Sequence, residues 1–255
     1  MRFASLGSGS AGNGLVVEAG DTRILLDCGF GIADAIRRLA RIGLSPDDLS
    51  GVVVTHEHED HMGGVARLAR RHRLPVWMTH GTHKGLEPLL AGLPALNFIE
   101  NYTPFCVGSM EIIPYPVPHD AREPAQFVFS DGVRRLGVLT DAGVSTKHME
   151  LVLSGVNGLV LECNHDTEML LNGPYPRRLK ERVGGRFGHL ANDEAAQLAS
   201  RLDLSGLQHM VAAHLSEKNN RPELAQRALA EVLKCPPSAI VVAGQESGFG
   251  WLQLN

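Results

Sequence analysis

The sequence has no run of 18 apolar residues, so it offers no segment expected to cross a membrane as a helix. Nor does a charged stretch followed by an apolar one precede the first predicted strand. Met1 to Leu6 runs directly into a glycine and serine loop, and no signal peptide is expected. Cysteine is sparse: Cys28, Cys106, Cys163 and Cys235 lie far apart and form no Cys-x-x-Cys pair, in a chain too long to need covalent staples. Reduced thiols and a cytoplasmic location are expected, with Cys28 and Cys163 as small core residues. There is no excess of positive charge either. The net charge is −4 with neutral histidines, which excludes a global field drawing in nucleic acid or an anionic membrane, so any polyanion must be held by a local patch. A low-complexity linker and an exact internal repeat are also absent. The 255 residues, 44% of them hydrophobic, are therefore expected to form one domain spanning 1–255.

What is present first is a series of short apolar runs punctuated by glycine. Arg2 to Leu6, Leu15 to Glu18, Arg23 to Asp27, Gly51 to Thr55 and Pro75 to Thr79 read as strands. Ile32, Ala35, Ile36, Leu39 and Ala40 recur at helical spacing, and residues 80–91 read as a second helix. From Met110 the pattern turns to β, with Met110 to Val117, Gln126 to Ser130 and Arg135 to Thr140. Lys147 to Leu153 follows as a helix and Gly158 to Glu162 as a strand. After a basic segment, Pro176 to Arg186, come a helix from Asn192 to Leu202 with Asn192 as candidate cap and a strand from Gln208 to Ala213. A helix from Pro222 to Leu233 has proline in its first turn. Ile240 to Ala243 and Gly248 to Leu252 close the chain. Two β-rich halves with helices outside predict an α/β fold, a four-layer αββα sandwich.

The densest chemistry is Thr55-His56-Glu57-His58-Glu59-Asp60-His61-Met62-Gly63-Gly64. His56, His58, Asp60 and His61 are metal-ligand types crowded into six residues on a loop at the end of a buried strand, where open α/β sheets put their sites. Extended backbone turns His56 and His58 to one side, and the next turn brings Asp60 and His61 to a second point. One loop could thus feed two neighbouring ions. Glu57 and Glu59 point away by the same period. Gly63 and Gly64 let the backbone pass close and open the next helix. A two-ion site needs further ligands, and His119, Asp141 and His214 each follow an apolar run.

With these residues in view, the chain resembles the metallo-β-lactamase superfamily, whose His-x-His-x-Asp-His signature stands here as His56, His58, Asp60 and His61. The resemblance implies the αββα sandwich. It also implies His56, His58 and His119 on one ion, Asp60, His61 and His214 on the other, and Asp141 bridging. Asp27 would brace the metal loop from behind. A finer resemblance, to the WalJ/YycJ-type subgroup without a β-CASP insertion, rests on several blocks. These are Ser5 to Asn13, Val117 to Ala121, Leu161 to Asp166, Gly173 to Pro176, Gly188-His189-Leu190 and His214 to Asn220. Ala191 departs from the serine expected after that Gly-His-Leu. The subgroup implies Mn-dependent 5′-to-3′ exonuclease activity on duplex DNA.

Two divalent ions about 3.5 to 4 Å apart lower the pKa of a shared water towards about 7 and supply hydroxide to attack phosphorus. Zn and Mn both suit the ligand types. Asp60 would orient the water as well as bind. By resemblance to tRNA 3′-processing enzymes, Glu162 and His189 would form a pair that assists proton transfer to the leaving oxygen. Ser8 and Asn13, in a loop rich in backbone N–H groups, are candidates for holding an anion. His165 is a candidate substrate contact, although His165 and Asp166 equally suit the start of a helix, and Arg177, Arg178, Lys180, Arg182 and Arg186 form a candidate phosphate contact, although basic runs are commonly solvated. Arg67, Arg70, Arg71 and Arg73 form a further basic group. The leading expectation is a two-metal phosphodiesterase acting on DNA. Alternatives are a tRNA-processing-type endoribonuclease, a small phosphodiester hydrolase, a thioester or β-lactam hydrolase, and a non-catalytic metal-binding regulatory protein.

Overall fold

Strands that are buried on both faces read as unbroken apolar runs, and each half of this chain supplies enough of them for its own sheet. The computed structural model describes residues 1–255. The first group comprises β1 (Arg2–Gly7), β2 (Gly14–Ala19), β3 (Thr22–Leu26), β4 (Gly51–Val53), β5 (Val76–Thr79) and β6 (Leu96–Ile99). The second comprises β7 (Phe105–Val107), β8 (Met110–Pro116), β9 (Ala125–Ser130), β10 (Arg135–Leu139), β11 (Gly158–Glu162), β12 (His209–Ala213) and β13 (Val241–Val242). The last strand, β14 (Phe249–Gln253), returns to the first sheet beside β1. The sheet orders are β14-β1-β2-β3-β4-β5-β6 and β13-β12-β11-β10-β9-β8-β7.

Both sheets change pairing sense in the same way. Neighbours are antiparallel from β14 to β3 and from β7 to β10, then parallel from β3 to β6 and from β10 to β13. Parallel neighbours need crossovers, and these carry the helices. On the first sheet they are α1 (Ile32–Arg41), α2 (Glu59–Met62), α3 (Val65–His72) and α4 (His80–Leu90). On the second they are α5 (Lys147–Leu153), α6 (Thr167–Asn172), α7 (Arg177–Val183), α8 (Asn192–Ser200) and α9 (Pro222–Leu233).

Four layers require three apolar interfaces, and three are present. Phe3, Val17, Ile24 and Val53 meet Ile112, Phe127, Phe129, Val138 and Val211 between the sheets. Leu25, Val52 and Val76 pack under Leu39, Leu68 and Leu86 on one outer face. Leu159, Leu161 and Ala212 pack under Leu153, Leu198 and Leu229 on the other. With both faces covered, β9 and β11 are buried at every position. The architecture is the four-layer αββα sandwich. No helix is long and apolar enough to cross a membrane.

Departures from the sequence expectations are local. β6 and β7 are short, partly exposed strands that leave no alternation to read. The strand over Ile240 to Ala243 shrinks to Val241–Val242, and the closing strand shifts to Phe249–Gln253. Helix α8 ends at Ser200, and its N-cap is Ala191 rather than Asn192. Ala191 holds the extended backbone of a cap, whereas the Asn192 amide is spent in a buried pair with Asn220, 2.9 Å in each direction. The half-cap that remains is Glu194, which accepts from the Ala191 N–H at 3.1 Å.

Candidate active site

The carboxyl ends of β3, β4, β8, β10, β11 and β12 bring Asp27, the His56–His61 loop, His119, Asp141, Glu162 and His214 to one edge of the sandwich. After β4, Thr55 is anchored twice by Asp27: its N–H and its hydroxyl donate to the two carboxylate oxygens, each at 2.8 Å. The chain then runs extended, so His56 Nε2 and His58 Nδ1 meet at 3.0 Å, with His119 Nε2 3.3 Å from that same Nδ1. The single turn of α2 rotates Asp60 and His61 to a second focus. Two close approaches demand glycine. A Cβ on Gly29 would fall 1.9 Å from the Asp60 carbonyl oxygen, and one on Gly64 would fall 1.9 Å from that of Phe30.

Outer partners fix which nitrogen of each imidazole faces inward, because the nitrogen that donates outward leaves the other as a lone pair. His61 Nδ1–H donates to Asp27 at 2.8 Å, His119 Nδ1–H to the Gly188 carbonyl at 3.0 Å and His214 Nδ1–H to Glu162 at 2.9 Å. His56, His58 and His119 form one group of converging donor atoms, and Asp60, His61 and His214 another. Asp141 joins His56 and His61 in a third, overlapping group. His214 Nε2 and Asp141 Oδ2 are buried without a hydrogen-bond partner. His61 Nε2 lies 3.0 Å from that orphaned Asp141 oxygen, yet the His61 proton points the other way, at Asp27. So close a pair needs a positive charge between its atoms, a second proton on His61 or a metal ion. The donor set therefore fits divalent metal, with nitrogen and oxygen ligands at each focus.

The titration of these groups has the same meaning. Burial pushes the His56 proton affinity well down, with His61 adding repulsion, and burial likewise lowers His119. Burial opposes charge on Asp141 and Asp60 as well, but His214 and His61 outweigh it and hold both carboxyls far below the usual range. Burial also works against charge on His61, where Asp141 and Asp27 prevail and raise it well above the ordinary histidine value. In His214 the same contest, won by Asp141, Asp60 and Glu162, raises it to about 10. Without a cation, protons on His61 and His214 neutralise the carboxylates. A metal takes over that positive charge, so metal binding and proton release are linked.

Residues 22–215 match the family described as Beta-lactamase superfamily domain. The chain belongs to the metallo-β-lactamase superfamily. It is 35% identical over 254 residues to the Bacillus anthracis Exodeoxyribonuclease YycJ, covering 98% of this chain and 91% of that protein. It is 30% identical over 237 residues to the Streptococcus pneumoniae Exodeoxyribonuclease WalJ, covering 91% and 88%. Those matches put it in the YycJ/WalJ-type subgroup. Among solved structures, the metallo-beta-lactamase fold protein YhfI from Bacillus subtilis shares the fold with a TM-score of 0.77 at 16% identity, covering 99% of both chains. The Zn(2+)-bound PqqB from Methylobacterium extorquens has a TM-score of 0.76 at 17% identity, covering all of both chains.

In this metallo-β-lactamase fold, Glu162 and His189 meet as the sequence pairing anticipates, with His189 Nδ1–H donating to Glu162 Oε1 at 2.9 Å. Glu162 does more than pair. The same oxygen accepts from His214, and Oε2 accepts from the Ala142 and Leu190 N–H groups at 2.9 and 3.2 Å. Burial raises its proton affinity, but His189 and His214 outweigh that and hold it at about 2. Glu162 thus stays a carboxylate that orients two imidazoles. His189 lines a cavity of about 290 Å³ together with His58, Asp60, Asp120, Asp141 and His214. Burial opposes charge on His189, and Glu162 overcomes it, raising the imidazole above its ordinary value.

Other candidates sit elsewhere. Ser8 and Asn13 are buried behind the ligands rather than open to an anion. Ser8 Oγ accepts from the His214 N–H at 2.9 Å and donates to Asn13 Oδ1 at 3.3 Å, while the Asn13 amide donates to the Asp60 carboxylate at 3.3 Å. His165 is buried beside Ala191, and with Arg177 it lines a separate cavity of about 530 Å³ that shares no residue with the first. Arg177 is paired with Glu181 at 2.7 Å, and Arg178 is exposed on α7. Asp166 caps α6, accepting from Met169 N–H at 2.9 Å. Arg70 is spent on the Leu89 and Ala91 carbonyls. Of the basic candidates in the 177–186 segment, Arg182 is the one that lines the cavity shared with His189. Thr55 was also passed over, although its place between the strand and the first ligand histidine was a signal. Cys28 and Cys163 are core residues, and all four cysteines are free. Burial lifts the Cys28 thiol to about 12.

Proposed function

We propose that this chain is a two-metal DNA exonuclease working 5′-to-3′ in the cytoplasm, with one domain over 1–255 supplying the whole site. The observation that carries the reading is the convergence of two donor groups and the Glu162–His189 pair beside one cavity, which His58, Asp60, Asp141, His189 and His214 line. Relatives of nearly full length named as exodeoxyribonucleases support DNA as the substrate. Four free cysteines fit a reducing compartment.

His56, His58 and His119 would hold one ion and Asp60, His61 and His214 the other, with Asp141 between them; Zn and Mn are both compatible. Two divalent ions held there would lower the pKa of a water towards neutrality and neutralise charge on the non-bridging phosphate oxygens. Asp60, whose side chain is 24% exposed, reaches the cavity and can accept the hydrogen of the attacking water, aiming its lone pair at phosphorus. As the phosphorus–oxygen bond to the departing nucleotide breaks, the leaving oxygen needs a proton. His189 carries one on Nδ1 for Glu162, and in its cationic form another on Nε2 for the leaving oxygen. Glu162 favours that cationic form and keeps the ring from turning. The buried Asp27, Thr55 and Asn13 hold the ligand loop still.

The test is a substrate panel of 5′-phosphorylated duplex DNA, single-stranded DNA and precursor tRNA with Mn, Zn or Mg, and Asp60→Ala as the inactive control. The proposal expects stepwise shortening of the duplex from the 5′ end. Intact DNA beside cleaved precursor tRNA would replace it with the RNA-processing reading.

A further inference from the structure

The catalytic cavity is anionic for a site meant to take phosphate: Glu59, Asp60, Asp120 and Asp141 line it, and its one permanent side-chain cation is Arg182. Arg182 sits on α7, and its Nε donates to Asp120 Oδ2 at 2.6 Å. The other Asp120 oxygen lies 3.5 Å from His119 Nε2 and 3.9 Å from His58 Nε2. One carboxylate therefore spans the gap between the guanidinium and the first donor group. It engages His58 through the nitrogen turned away from that group and Arg182 through one edge only. The two Nη groups of Arg182 make no hydrogen bond to the protein, and its side chain is 61% exposed at the cavity mouth. Nearby cations are committed elsewhere, Arg177 to Glu181 and Lys180 to the Leu171 carbonyl.

From this geometry we infer that Arg182 is the specificity-determining contact for the substrate phosphate, with Asp120 a positioning residue that aims it. A guanidinium clamped at Nε keeps a planar set of donors free, and these match the paired oxygens of a phosphate. Placed one carboxylate away from His58 and His119, they reach a phosphate bound at the first focus. The inference rests on the phosphodiesterase reading for its substrate, but phosphate binding tests it separately.

Wild-type, Arg182→Ala, Arg182→Lys and Asp120→Asn proteins, each loaded with Mn, are compared in three measurements. These are metal content, calorimetric binding of inorganic phosphate, and KM with kcat on 5′-phosphorylated duplex across a salt series. Arg182→Ala keeps its metal, weakens phosphate binding about 10-fold or more, and raises KM more than it lowers kcat. Its salt slope falls by about one relative to wild type. Arg182→Lys recovers part of the phosphate affinity, since charge returns without the fork. Asp120→Asn shifts KM in the same direction, and adding it to Arg182→Ala brings no further loss. Phosphate binding unchanged in Arg182→Ala overturns the inference whatever the DNA result. Metal lost in Asp120→Asn overturns the positioning role by making Asp120 a ligand. Wild-type protein that spares DNA yet binds phosphate through Arg182 upholds the inference and removes only the exonuclease reading.

Discussion

Three residues that build the site, Asp27 behind the ligand loop and Asp141 and His214 at the cavity, all hold left-handed backbone, with φ of 60°, 55° and 55°. Each follows a strand and must turn the chain sharply so that its side chain points back over the strand end. Such conformations cost on the order of 1 kcal/mol or more each and persist where the surroundings over-determine them. Asparagine tolerates this backbone as well as aspartate does, so Asp27→Asn keeps the turn while removing the negative charge and one of the two oxygens that accept from Thr55 and His61. It is expected to weaken metal binding about 10- to 100-fold, read by titration with a competing chelator. His189→Ala is expected to keep both ions and lose about 10²- to 10⁴-fold in turnover, and metal loss in that variant would make His189 a ligand instead. The convergence of the candidate metal donors was legible because ligand types crowd into one loop and recur at strand ends. The basic run around Arg182 was legible as a candidate phosphate contact, but which of its members reaches the cavity was not, because that depends on Asp120, 62 positions away, being brought against α7. Ser8 and Asn13 were misplaced for a related reason. Loop composition reveals free N–H groups but not whether another loop packs over them.

At the scale of elements, the first turn of α8 lacks a side-chain cap because Ala191 stands where a hydroxyl would accept an N–H. Ala191→Ser is expected to stabilise the protein by about 1 kcal/mol in urea denaturation, with the metal site unaltered. Helix α1 shows the opposite case, a polar group fully used. Buried Arg38 donates to the Leu6, Gln245 and Glu246 carbonyls at 2.9, 3.1 and 2.9 Å and to Asp34 at 2.8 Å, tying β1 to the segment before β14. Arg38→Ala is expected to cost on the order of 3 kcal/mol by the same denaturation, since it strands buried acceptors. On the first sheet, the Arg2 guanidinium, joined by Arg23, holds the Glu18 carboxyl below its ordinary 4.5. The lowered value means that this link stabilises fully above the unfolded value and is lost as pH falls through the folded one. Glu18→Gln should therefore narrow the stability difference between pH 7 and pH 3. Long strands and amphipathic helices were readable by period, whereas β13, with two residues, gains its definition only from its neighbour β12.

Taken whole, the molecule places its candidate metal donors on both sheets. His56, His58, Asp60 and His61 come from the first, and His119, Asp141 and His214 from the second, so each donor group draws on both. Bound metal is then a clasp across the open edge of the apolar seam. Chelation should lower the melting temperature. It should also speed proteolysis at the site loops. The stabilisation regained on adding metal should grow with its concentration, reaching about 4 kcal/mol at a thousandfold excess over Kd. The sandwich itself was legible from two groups of strands with helices between them. The mirrored order of pairing senses was not, since it depends on β14 returning to β1 across the full length of the chain.

Because the second donor group closes only with His214, order of synthesis matters. A chain emerging from the ribosome presents His56, His58 and His119 early, yet lacks the partner of Asp60 and His61 until β12 has been made and seated. Under the proposed function, a chain truncated before His214 is expected to leave DNA uncut, and activity is expected only once β12 is seated.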